Sequence, residues 1–147
     1  MGFFSALDIS ASGLTAQRFR MDTITQNVAN INTTRTENGT PYRRKAVIFE
    51  EKSVDKPFSE YLTESSQERL VGKGVRVARV VEDQSPFKRV YDPGNPEADE
   101  EGYVLMPNVD LVTEMVNMIS ATRAYEANVT VMNATKSMAL KALEIGK

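Results

Sequence analysis

The chain contains neither cysteine nor histidine. Without thiols it has no disulfides and no thiolate metal sites, and the redox state of its compartment stays open. Without imidazole it lacks the commonest metal ligand and the commonest general base near neutral pH. No apolar run approaches the roughly 20 residues that a membrane span needs. Neither charge sign dominates: 18 basic against 20 acidic residues leave a net charge of -2, so nothing points to nucleic acid. Glycine and proline are missing altogether from Asn108 to Ile145. The opening residues, Met1-Gly2-Phe3-Phe4-Ser5, lack the basic head, apolar centre and small-residue cleavage site of a secretory signal. Any passage out of the cytoplasm is therefore expected by a route that cleaves no signal peptide. At 147 residues the chain is one domain's worth with a small insertion.

What is present is helical periodicity at both ends. After Pro107 and Asn108, which read as a helix start, Leu111, Met115, Met118, Thr122, Tyr125, Val129 and Met132 recur at steps of four and three. This is the stripe of a helix packed along a neighbour. Ala139 and Leu143 extend it beyond the interruption at Lys136. Asp110 and Glu114 in the opening turns, Lys136, Lys141 and Lys147 toward the close, and Gly146 as a C-terminal cap agree with the helix macrodipole. Such a helix is roughly 50 Å long and needs support along most of it. Val112, Val116 and Ile119 form a second partial stripe, and Ala127, Val131, Ala134 and Met138 another. One antiparallel partner covers one stripe. Two stripes require either a bundle within the chain or a polymer of chains, unless the alanines are incidental to a single long hairpin.

The first helix is expected from about Ser5 to Asn30, with Leu7, Ala11, Leu14, Met21, Ile24, Val28 and Ile31 on its stripe and Arg18 at one seam position. Ser10-Ala11-Ser12-Gly13 is a soft spot, where a kink or late start is expected because glycine costs about 1 kcal/mol in a helix interior. The helix fades in the Asn- and Thr-rich residues 29–34.

Between the helices the grammar changes. Asn38-Gly39 is the strongest hairpin signal and precedes a strand-like run ending at Glu50. Lys52 to Arg69 is polar and without period. Val75 to Val81 alternates as a half-buried strand, and Phe87 to Tyr91 is a further short strand. Asp92-Pro93-Gly94-Asn95-Pro96 is a turn, followed by the acidic loop Glu97 to Glu101. The fold expected is α+β: two long terminal α-helices in a coiled-coil-like hairpin, with a small β-rich segment inserted between them. The divisions fall at 1–34, 35–107 (polar insertion about 52–69) and 108–147.

Several motifs have a plainer reading than a chemical one. Gly72-Lys73-Gly74 lacks the glycine spacing and the Ser or Thr of a phosphate loop, and reads as a turn before a strand. Arg43-Arg44-Lys45 reads as a solvated strand edge, with an acidic loop of a neighbouring copy as the other option. Glu97, Asp99, Glu100 and Glu101 do not match a calcium loop. Asn-x-Thr triplets at Asn32, Asn38, Asn128 and Asn133 fall partly inside the C-terminal helix, where they mean surface polarity. No nucleophile elbow or metal cluster is visible. No enzyme, cofactor or metal site is expected.

Ala11-Ser12-Gly13-Leu14-Thr15-Ala16-Gln17-Arg18 with Asn27-Val28-Ala29-Asn30-Ile31-Asn32-Thr33 resembles the N-terminal signature of the bacterial flagellar axial family, the rod and hook proteins. Three further segments are similar to proximal rod members of that family. They are Tyr91 to Pro96 with Ala98-Asp99 and Gly102-Tyr103-Val104, Met106 to Asp110, and Glu114-Met115-Val116 with Ala121 to Asn128 and Lys136-Ser137-Met138. Lys52 to Arg69 looks longer and more polar than the compact form of the family.

The resemblance implies a structural subunit of the proximal rod of the basal body, transmitting torque across the periplasm and exported by the flagellar type III apparatus. The partners it implies are other copies, the other proximal and distal rod proteins, and the adapter joining the rod to the membrane ring. It also implies terminal helices forming an inner tube, with the β-rich middle outside. The assembly interface is expected at Leu7, Leu14, Met21, Ile24, Val28, Leu111, Met115, Met118, Tyr125, Val129, Met132 and Leu143, with the ends of the isolated subunit frayed. The alternative is a helical-hairpin adaptor that binds a single partner helix.

Overall fold

The computed structural model describes residues 3–52 and 74–145. Helix α1 runs from Phe3 to Ala29 without interruption. The soft spot at Ser10–Gly13 therefore neither interrupts nor delays the helix. The hydroxyls of Ser10, Ser12 and Thr15 bond back to the carbonyls of Ala6, Ile9 and Ala11, so these polar side chains are satisfied inside the helix. Gly13 is a packing requirement: a Cβ there would meet Oδ1 of Asn128 at 2.9 Å. As expected, α1 fades at Ala29, where Thr33 N–H bonds to the Asn30 carbonyl and the Thr33 hydroxyl to its side chain.

Asn38-Gly39 makes a turn, with Gly39 at φ 73°, closed by Thr36 N–H to the Thr40 carbonyl at 2.9 Å. It joins no pair of strands. Strand β1 (Lys45–Glu51) instead pairs antiparallel with β2 (Val75–Glu82), across residues 53–73, with a bulge at Ile48/Phe49. A local turn signal cannot reveal a partner 24 or more positions away, so the hairpin expected at Asn38 was misplaced. A second antiparallel pair joins β3 (Lys88–Tyr91) and β4 (Tyr103–Met106) across the Asp92–Pro96 turn and the acidic loop. Phe87 precedes β3 and lies under the Arg43 guanidinium, 4.3 Å from the ring centroid. The polar stretch 52–69 falls, beyond Lys52, outside the described residues, as do Gly72, Lys73 and the Gly146 cap.

Helix α2 spans Leu111–Ile145. It begins later than Pro107 and Asn108 suggested, because Asp110 caps it: its carboxylate accepts from the Thr113 N–H at 2.9 Å and from the Thr113 hydroxyl. α1 and α2 lie side by side and antiparallel. Asn27 meets Glu114 at 3.0 Å, Met21 meets Thr122 at 3.6 Å, and Gly13 sits against Asn128. The β1–β2 hairpin leans on α1, where the Val75 N–H donates to the Ser12 hydroxyl at 3.1 Å. The buried apolar set is small: Ala16, Ile24, Tyr42, Val104, Val109 and Ala121. No described helix is long and apolar enough to cross a membrane.

Candidate assembly face and the polar junction beneath it

The side of α2 that faces α1 is marked by its buried residues, Glu114, Ala121 and Thr135, with half-buried Asn128 between them. These positions are seven apart, so they form one line along the helix. Across it α1 buries Ser10, Ala16, Thr23, Ile24 and Asn27. The internal seam is thus built from small and polar side chains. Such residues let backbones approach closely and leave little apolar area to bury.

At the β-end of this seam lies a polar junction. Asn27 is fully buried and its amide makes four hydrogen bonds. Nδ2 donates to the Lys45 carbonyl at 2.8 Å and to Glu114 Oε2 at 3.0 Å, while Oδ1 accepts from the Tyr42 hydroxyl and the Lys45 N–H, each at 2.9 Å. The other Glu114 oxygen takes Arg44 Nε at 2.7 Å. Glu114 is 0 % exposed, so its charge depends on these two partners. Arg44 N–H in turn donates to Asn108 Oδ1 at 2.8 Å, and Asn108 Nδ2 reaches the Asp83 carbonyl at 3.0 Å. One cluster therefore ties α1, the approach to β1, the end of β2 and the start of α2. Burial, and secondarily the negative charges of Glu114 and Glu82, push the Tyr42 phenol above its ordinary pKa of 10.0, so it donates as the neutral hydroxyl. Hydrogen bonds from Ser85, aided by Arg44 and Arg43, hold Asp83 below the usual carboxylate range.

These contacts correct the reading of Arg43-Arg44-Lys45 as a solvated edge. Arg44 neutralises a buried carboxylate, and Arg43 covers Phe87 and donates to the Asp83 carbonyl at 3.2 Å. Glu114, in turn, does far more than complement a helix dipole. An acid on a helix stripe four residues after a cap gives no sign of burial; only its arginine partner, 70 positions away, does so. The acidic loop is internally paired: Arg89 bonds Asp99 at 3.3 Å and Glu101 at 3.1 Å, and Asp99 accepts the Tyr103 and Glu101 N–H groups. Among the described residues no group of three acidic side chains could hold a metal ion. The cleft between α1, β1 and α2 is about 250 Å³ and is lined by Arg20, Arg44, Lys45 and Glu114 among others.

Large apolar side chains elsewhere on α2 stay uncovered, in two groups that point in different directions around the helix. Leu111, Val112, Met115, Val116 and Ile119 are exposed at its start, and Val131, Met138, Leu140, Leu143 and Ile145 toward its end. Between the two groups stands an exposed ion pair, Arg123 with Glu126, at 3.1 Å. Of the residues expected at the interface, Ile24 is buried in the seam at 5 % exposure. Leu7, Leu14, Met21 and Val28 on α1, and Met118, Tyr125, Val129 and Met132 on α2, are half-buried. Leu111, Met115 and Leu143 stay uncovered.

The halves of this arrangement match known families. Residues 7–35, α1 and the turn after it, match the family described as Flagella basal body rod protein. Residues 100–145, β4 and α2, match the family described as Flagellar basal body rod FlgEFG protein C-terminal. Full-length relatives decide between branches. The flagellar basal-body rod protein FlgC of Bacillus subtilis is 53 % identical over 152 aligned positions, covering 100 % of both chains. That of Borreliella burgdorferi is 48 % identical, covering 99 % of this chain and 98 % of its own. That of Escherichia coli O6:H1 is 45 % identical, covering 100 % of both. The chain belongs to the FlgC family. As a member it is a structural subunit of the bacterial flagellar basal-body rod, assembled with other rod components. The two FlgC-family segments that the family models match are those that form the helix pair and carry the bare face.

Proposed function

We propose that this FlgC-family chain enters the rod through the uncovered face of α2, joining other copies of itself and the other proximal and distal rod proteins, and carries torque across the periplasm. The observation that supports this most is the ten large apolar side chains that α1 leaves exposed on α2, in two groups. Scattered apolar residues are ordinary on a monomer's surface; groups of five on one helix mark contact sites. Leu111, Met115 and Leu143 make the contact directly, together with Val112, Val116, Ile119, Val131 and Met138. The half-buried residues of both helices line its margins, and Ile24 holds α1 in place behind it. A contact between unlike patches generates an open helical polymer rather than a closed dimer. The polar break at Arg123 and Glu126 separates two such patches, whereas an adaptor for a single helix would present one unbroken ridge.

On the same proposal the chain leaves the cytoplasm through the flagellar type III apparatus without a cleaved signal peptide. Its helices line the inner tube with the β-hairpins outside, and the rod-to-membrane-ring adapter is among its neighbours. The test is Met115→Asp and Val116→Asp in cells lacking the native gene. Folded, exported subunit without rods or motility is the expected result. Full motility in both variants would overturn the assignment of this face.

A further inference from the structure

The chain has seven methionines and no cysteine, histidine or tryptophan, so thioethers are its softest groups toward an oxidant. They are not equally placed. Met21, Met106, Met118 and Met132 are half-buried, and the Met21 sulfur is further engaged by the Thr122 hydroxyl at 3.6 Å. Met115 is 56 % exposed and Met138 is 64 % exposed. One lies in each of the two uncovered apolar groups of α2, and the remaining large side chains of those groups are Leu, Ile and Val, which hydroperoxides leave alone.

We propose that Met115 and Met138 are a reversible oxidation site for hydroperoxides that gates assembly of the free subunit. The thioether sulfur attacks the terminal oxygen of the hydroperoxide, the O–O bond breaks, and the remaining oxygen leaves with a proton as water or an alcohol. Sulfur loses two electrons and the peroxide gains them. The product sulfoxide carries a strong acceptor oxygen where an apolar side chain stood. Set into a contact made of aliphatic residues, that oxygen has no donor, and the contact is weakened at both ends of α2. Once the subunit is assembled the same sulfurs are covered, so the sensitive form is the one that has not yet found its place. Because the effect on assembly rests on the face proposed above, the test separates the two.

Purified full-length subunit is treated with a limiting dose of hydrogen peroxide. Sulfoxides are mapped by peptide mass spectrometry, and self-association is followed by sedimentation velocity against the untreated sample. Met115 and Met138 are expected to oxidise about fivefold faster than Met21, Met118 and Met132. The concentration needed for association should rise about tenfold, and methionine sulfoxide reductases should restore it. Equal oxidation of all described methionines, or unaltered association of subunits carrying both sulfoxides, would overturn the site. Val112→Asp with Val116→Asp supplies the control, since these positions carry no sulfur. If that variant associates normally, the face itself has been misassigned; if it fails to associate while the sulfoxide form does not, only the oxidation site is lost.

Discussion

Asn27 near the end of α1 and Glu114 in the first turn of α2 meet at 3.0 Å in the interior, 87 residues apart in sequence. The bond closes the helix pair at the end where the β-hairpins join it. Its second consequence is that Glu114 is held by one neutral amide and one cation, with no solvent access to repair a loss.

Arg44→Met should therefore be costly. It leaves a buried carboxylate with the Asn27 amide alone, and about 3 kcal/mol of stability should be lost. Adding Glu114→Met removes the orphaned charge, so the double variant should be more stable than Arg44→Met by itself. Urea unfolding of the four chains in the cycle measures this. Additive losses would mean that the two side chains are not coupled.

Alkaline pH should loosen the same junction. The Tyr42 phenol is raised above its ordinary value of 10.0 by burial, so the folded state keeps a proton that the unfolded chain gives up. The stabilisation is complete below pH 10 and is lost as pH rises from there through the raised value. Tyr42→Phe should flatten this part of the stability profile while lowering stability at neutral pH through the lost bond to Asn27. Thermal melts between pH 8 and 11 check both.

Gly13 should tolerate little added volume. A Cβ there falls 2.9 Å from Asn128 Oδ1, and the Asn128 amide is tethered by a 2.8 Å bond from Nδ2 to the Ala124 carbonyl. Gly13→Val should destabilise by about 2 kcal/mol through overpacking. Gly13→Ala combined with Asn128→Ala should recover, gaining the helix propensity of alanine on α1. Chemical denaturation distinguishes the pair.

Charge on the bare face should uncouple folding from assembly. Val116 is 61 % exposed, so Val116→Asp should move the subunit's stability by no more than about 0.5 kcal/mol while abolishing rod formation. Ile24→Asp, at a buried position, should unfold the subunit instead. Melting temperature and motility, scored together, separate the two behaviours.

The helices were legible because their apolar residues repeat at three and four, and so were strand β3 and the turn after it at Asp92–Pro96; the pairing of β3 with β4 was not read, because the acidic loop hides the second strand. The β1–β2 pairing was not, since its two strands are separated by residues 53–73. The internal seam was also hidden. Its central line reads Glu114, Ala121, Asn128, Thr135, and a search for apolar periodicity passes over it to the larger residues alongside. Those larger residues include Leu111, Met115 and Leu143, which the subunit leaves bare. Arg44 and Glu114 are unremarkable singly, and only their spatial meeting gives either a role.

A shaft made of stacked pieces wastes rotation if each piece can swivel within itself. Here the Asn27 amide has no bonding capacity left over, and its partners sit on two separate segments, Tyr42–Lys45 at the start of β1 and Glu114 on α2. Turning the sheet portion against the helices would mean breaking the three bonds to Tyr42 and Lys45 at once inside the protein. Each subunit is thereby denied internal slack between its sheets and its helices.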